Sequence, residues 1–75
     1  MTAVEVMFGY GIPPGEREMN ALAQMSDVYG IRRVQLNQQE RTVRVEYDAT
    51  RLGEAMVENL LRKAGFDVQE KLALA

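Results

Sequence analysis

The chain contains no cysteine and no histidine in its 75 residues. Without cysteine, neither a disulfide nor a thiolate metal site can form, and cysteine usage marks no redox compartment. Without histidine, the usual neutral-pH acid–base group and the commonest imidazole ligand are missing. An excess of charge of one sign is also lacking. Nine Lys and Arg against eleven Asp and Glu give a net charge of −2, with both signs interspersed along the chain. That leaves no broad basic surface, so nucleic acid is not an expected partner. No apolar run approaches the length of a membrane span, and no charged N-terminal region leads into an apolar stretch. A membrane is therefore not an expected partner either, and the default location is the cytoplasm.

What is present is enough apolar material for a packed core. The apolar fraction is 47%, whereas disordered chains are poorer in apolar residues. At this length the chain reads as one domain, residues 1–75, near the lower end of what folds on hydrophobic burial alone. Ala3-Val4-Glu5-Val6-Met7-Phe8 alternates, with Val4, Val6 and Phe8 on one face and Glu5 and Met7 on the other. This period of two predicts a strand buried on one side. Glycines and prolines break the pattern through Gly15. From Glu16 the spacing changes to Met19, Leu22, Met25 and Tyr29, a stripe at helical period. Glu16 and Glu18 fall in the first turn, where carboxylates suit the helix dipole.

Gly30 ends that helix, and Val34 and Leu36 alternate with Arg33 and Gln35 in a second strand. Asn37-Gln38-Gln39-Glu40 is a polar connection of hairpin length. Val43, Val45 and Tyr47 then point inward from a third strand. Thr50 is the expected N-cap of a second helix with apolar positions Leu52, Met56, Leu60, Leu61 and Ala64. Arg62 and Lys63 occupy its last turn, and Gly65 suits the position after the C-cap. Phe66 and Val68 open a short last strand. The core thus spans residues 3–70, and 71–75 form a tail. The order β-α-β-β-α-β, with right-handed crossovers, predicts an α+β, ferredoxin-like sandwich. Its four-stranded antiparallel sheet carries both helices on one face. The open face would hold Glu5, Met7, Arg33, Gln35, Thr42, Arg44, Glu46, Asp67 and Gln69.

Three segments carry a resemblance. They are Gly30-Ile31-Arg32-Arg33-Val34-Gln35-Leu36, Val43-Arg44-Val45-Glu46-Tyr47-Asp48 and Leu60-Leu61-Arg62-Lys63-Ala64-Gly65-Phe66. In this order they resemble the heavy-metal-associated domain of copper chaperones and metal-pumping ATPases, and Ala21-Leu22 resembles the middle of that family's first helix. The resemblance implies a metal loop of the form Gly-Met-x-Cys-x-x-Cys after the first strand. Here Gly9 matches the glycine, Tyr10 replaces the methionine, and Ile12 and Gly15 stand at the cysteine positions. The stretch from Leu22 to Gly30 is also longer than is usual in the family, which predicts an extended first helix.

Copper(I) and zinc sites of this kind depend on soft, anionic thiolates. Ile12 offers no ligand atom and Gly15 only its backbone, so no metal site and no cofactor are expected. Methionine is the one soft ligand type left, and Met7, Met19, Met25 and Met56 are the candidates; at helical spacing the last three read as flexible core fillers. Gly9, Gly11 and Gly15 miss the dinucleotide spacing. Pro13 and Pro14 lack N–H donors, and Glu16 and Glu18 repel an anion. No nucleophile or base is marked, so no enzymatic activity is expected.

Two functional readings follow. The first is a non-enzymatic interaction domain that has lost the cysteine metal site and meets a protein partner. Its contact loop would comprise Met7, Tyr10, Ile12, Pro13 and Pro14. For Tyr10 and Ile12 the alternative of folding back to cap the core stays open. The second is residual copper or zinc handling through methionine, carboxylate or partner-supplied ligands. Weak self-association through a sheet edge is a further expectation.

Overall fold

The computed structural model describes residues 2–73. Its elements run β1 (Ala3–Tyr10), α1 (Glu16–Met25), β2 (Ile31–Asn37), β3 (Thr42–Asp48), α2 (Glu54–Lys63) and β4 (Val68–Leu72). The sheet order is β2-β3-β1-β4, all antiparallel. This is the ferredoxin-like sandwich that the alternating patterns imply. β4 continues through Leu72, two residues into the expected tail; residues 74 and 75 of that tail lie outside the described residues.

β1 is central and pairs on both edges. Ala3 lies opposite Asp48 at one end, and Gly9 opposite Thr42 at the other. Two irregularities modify the ladder. Arg32 is an extra residue between Ile31 and Arg33 on β2, and Gln69 is an extra residue on β4 beside Gly9 and Tyr10. A bulge of this kind turns consecutive side chains outward and blunts an edge strand. Both Arg32 and Arg33 are accordingly exposed.

The core gathers Val6, Phe8 and Tyr10 from β1, Val43, Val45 and Tyr47 from β3, and Val57 and Leu61 from α2. The open face is charged and cross-paired. Arg44 Nε lies 3.6 Å from Glu5 Oε2, and Arg32 Nε lies 3.9 Å from Glu46 Oε1. Thr42 lies on that face as expected, beside Met7 and Arg44, but is itself buried at the hairpin end between Gly9 and Asn37.

Two helix expectations are corrected. α1 is not extended: it stops at Met25, with Ser26 as C-cap, and Tyr29 lies beyond it, 72% exposed. Ser26 N–H donates to Leu22 O and Ala23 O at 3.3 and 3.2 Å, tightening the last turn. Ser and Asp favour such exits because their side chains compete for backbone partners. Gly30 at φ +103° completes the reversal, a conformation that glycine adopts without Cβ strain.

α2 begins later than expected, with Gly53 instead of Thr50 as N-cap. Thr50 is held elsewhere. Its N–H and hydroxyl both donate to Asp48 Oδ1, at 3.0 and 2.7 Å, and the Arg51 and Leu52 N–H groups donate to Asp48 O. The later start sets the helix phase. Val57 and Leu61, four residues apart, are fully buried, whereas Met56 is 53% exposed. The C-terminus follows the expected design. Phe66 N–H reaches Leu61 O, Gly65 N–H reaches Arg62 O, and Gly65 takes φ +99°. That is the Schellman pattern.

The helix phase gives the first prediction. Leu61→Ala should cost about 2–5 kcal/mol, and Met56→Ala no more than about 0.5 kcal/mol. Urea unfolding of the two variants checks the order.

Candidate functional site

The segment from Tyr10 to Gly15 is anchored at its base and open at its tip. Tyr10 N–H donates to Arg41 O at 2.9 Å, and Gly11 N–H donates to Asp67 O at 3.1 Å. Arg41 Nη1 reaches back to Gly11 O at 3.4 Å. A Cβ at Gly11 would meet Asp67 Oδ2 at 2.7 Å and Gln69 Nε2 at 2.8 Å, so these two side-chain ends would have to move aside. Those two side chains, expected on the open sheet face, hydrogen-bond each other at 2.8 Å beside the loop.

Pro13 and Pro14 fix φ through the loop, and Gly15 is the N-cap of α1 at φ −92°. Glu18 Oε1 accepts from Gly15 N–H at 3.1 Å. The same side chain lies against Gly65, where a Cβ would meet Glu18 Cγ at 3.0 Å. The start of α1 is thereby tied to the end of α2.

These contacts divide the five residues expected to form one contact surface. Tyr10 does not belong to an exposed loop: it ends β1, is only 4% exposed and meets Phe66 edge-on at 5.7 Å. The reason is parity, since Tyr10 continues the inward series of Val6 and Phe8. Ile12 does the opposite and is 68% exposed. Pro13 is exposed and Pro14 half-buried. Met7 is half-buried on the open sheet face, opposite Arg44, where it lines a polar depression with Gln35, Asn37 and Thr42. The structure thus brings Ile12 and Pro13 together at the tip and sets Met7 and Tyr10 apart from them.

Among the described residues, no group of three or more His, Cys, Asp or Glu is placed to hold a metal ion. The thioethers do not compensate. Met25 is buried, while Met7, Met19 and Met56 lie on three different elements. Gly15 has φ in the ordinary range, and a Cβ added there would meet only Glu18 Oε1, at 3.5 Å.

A second polar cluster, not singled out from sequence, lies at the opposite end of the sheet. Asp48 is buried and accepts both bonds from Thr50, with Arg51 Nε at 3.5 Å. The Thr50 hydroxyl, then its N–H, hold the Asp48 carboxyl below the ordinary carboxylate value. The Thr2 N–H and Arg51 add smaller contributions, and burial opposes them. This direction is contrary to that of a general acid. Arg51 also lies over the Tyr29 ring, 4.2 Å from its centroid. The signal for this cluster was the Asp-x-Thr spacing directly after a strand, which favours a side-chain-capped turn. At the other edge, hydrogen bonding and charge from Glu54, 2.7 Å away, raise the Lys71 ammonium above its usual value.

Element order, register and an anchored strand-to-helix loop define a small ferredoxin-like domain without thiol ligands. Solved structures share this architecture. The chain is similar to oxidized MerP from Ralstonia metallidurans CH34, with 14% identity and a TM-score of 0.73 over 91% of this chain and 96% of that one. It is also similar to a copper-binding domain from HMA7, a P-type ATPase, with 20% identity and a TM-score of 0.75 over 92% and 93% of the two chains. No protein-family model matches the sequence, and no curated protein matches it. The fold is that of heavy-metal-associated domains, and the chain has no cysteine with which to form their loop site.

The Asp48 cluster predicts an acid-side loss of stability. A depressed folded-state value means that the contribution is full above the unfolded Asp value, about 3.9. It is lost as pH falls through the folded value. Asp48→Asn should melt below the wild type at pH 7, and the gap should close in strong acid. Paired thermal melts from pH 7 to pH 2 check the sign.

Proposed function

We propose that this domain is a non-enzymatic binding module on the heavy-metal-associated fold, acting through protein contact in the cytoplasm and not through coordination. One observation carries the reading. The loop positions that the sequence resemblance matches to the thiolate pair hold Ile12, whose apolar side chain is 68% exposed, and Gly15, which has no side chain. A soft metal at that loop would have no anionic ligand from this chain.

Contact suits the same geometry. A single exposed aliphatic residue is ordinary on a protein surface. Here, however, it stands between a glycine packed against Asp67 and Gln69 and two prolines, on a backbone anchored by the residues leading into β3 and into β4. A preorganised apolar tip loses little conformational entropy on binding. Pro13 adds apolar area without an N–H donor that would need a partner. The lowered carboxyl of Asp48 and the ion-paired carboxylates of the sheet and α2 support a non-catalytic role.

Two measurements test this. Ile12→Ser should change stability by no more than about 0.5 kcal/mol, as expected for a surface position; a large loss would assign Ile12 to the core and remove it from any contact surface. Amide NMR during copper(I) or zinc titration of the wild type should show no loop shifts at millimolar metal. The double variant Ile12→Cys/Gly15→Cys should bind one copper(I), because its backbone already has the fold of the metal-binding relatives. Loop shifts in the wild type would instead favour residual metal handling through methionine or carboxylate ligands.

A further inference from the structure

The two sides of α2 differ. On one side its carboxylates are engaged, Glu54 with Lys71 of β4 at 2.7 Å and Glu58 with Arg62 at 3.0 Å. On the other, Leu52, Met56, Asn59, Leu60 and Lys63 line an apolar groove of about 260 Å³ together with Val28 from the turn after α1. No carboxylate lines it. Lys63 is exposed and has no ion-pair partner among the described residues.

We infer that this groove receives the loop tip of a second copy of the chain, with Ile12 inserted between Met56 and Leu60 and Glu16 facing Lys63. The inference rests on the loop being a contact surface, and it names the partner. Size decides against a helical occupant, which would need an apolar trough several turns long for its i, i+4, i+7 anchors. A groove of this volume takes one or two aliphatic side chains, and Ile12 and Pro13 are adjacent and both exposed at the tip of a loop. Charge decides the orientation. The loop continues directly into the exposed Glu16, and the groove presents a lysine with no acidic neighbour among its lining residues. Asn59 supplies a donor for loop carbonyls.

The contact is between molecules. The register puts Gly9 at one end of the sheet and Asp48 at the other, and Leu52 N–H donates to Asp48 O. The Leu52 and Met56 end of the groove, where Ile12 is seated, therefore lies at the end away from the chain's own loop, while Lys63 lies at the near end. The two surfaces are different patches, and the association is head-to-tail. It is also weak, because one loop in one groove buries less than a standard interface.

The absence of native cysteine makes trapping clean. Full-length Ile12→Cys and Met56→Cys chains are mixed in equal amounts under a glutathione redox buffer, and the disulfide-linked products are counted. The expected result is a mixed disulfide well above the share that random pairing gives. Adding Lys63→Glu to the Met56→Cys chain should lower it severalfold, and Glu16→Lys in the other chain should restore it. A random share, or one indifferent to these charges, overturns the inference. The Ile12→Ser melt separates the two levels. If that variant melts with the wild type and trapping is random, the second-copy docking alone fails. If it melts far below the wild type, the contact reading of the loop fails with it.

Discussion

The edge-on contact between Tyr10 and Phe66 is the interaction on which the functional end of this domain depends. Tyr10 is the last residue of β1, and Phe66 is the first residue released by the glycine turn that ends α2. Such a pair contributes about 0.5–1.5 kcal/mol beyond the area it buries. Its larger consequence is geometric. With Tyr10 pinned inward, its N–H meets Arg41 O and the next N–H meets Asp67 O, so the loop leaves the sheet in one direction only. Glu18 beneath Gly65 then fixes where α1 must begin. The loop is held by backbone bonds to Arg41, just before β3, and Asp67, just before β4, and by packing against Gly65 and Phe66 after α2.

That anchoring separates two properties of the fold. The overall fold is shared with structures such as the copper-binding domain from HMA7, while the groups at the loop tip belong to this chain. With isoleucine and glycine in the loop, its base is still anchored by the Tyr10 and Gly11 backbone bonds. Fold similarity therefore transfers the backbone and not the chemistry. The charges follow the same division. Ion pairs are spread across the open sheet face and one side of α2, and the groove, lined by Lys63 but by no carboxylate, occupies the other side.

Much of this was legible in the sequence, and the exceptions have physical causes. Alternation in β1 and β3 gave the sheet, and Ala64-Gly65-Phe66 gave the C-terminal stop of α2, because glycine alone enters the left-handed region cheaply. Tyr10 stayed open between loop surface and core because Gly9 interrupts the apolar series by eye; the structure takes the core alternative, with Val6, Phe8 and Tyr10 keeping the period of two. The α2 phase was misread because Thr50 is a good cap residue, but Asp48, two residues earlier, competes for its donors. That competition moves the helix start to Gly53 and exchanges Met56 for Val57 in the core. The α2 groove was not legible at all, since it depends on how the turn after α1 meets the helix.

The central claim is that the loop is ordered by packing and not by coordination. Native-state hydrogen exchange at the Tyr10 and Gly11 amides, in buffer containing a metal chelator, tests it most directly. The account predicts strong protection at both amides, comparable to the β1–β3 ladder and unchanged when copper(I) or zinc replaces the chelator. Exchange as fast as in an open loop, slowed only by added metal, would contradict it.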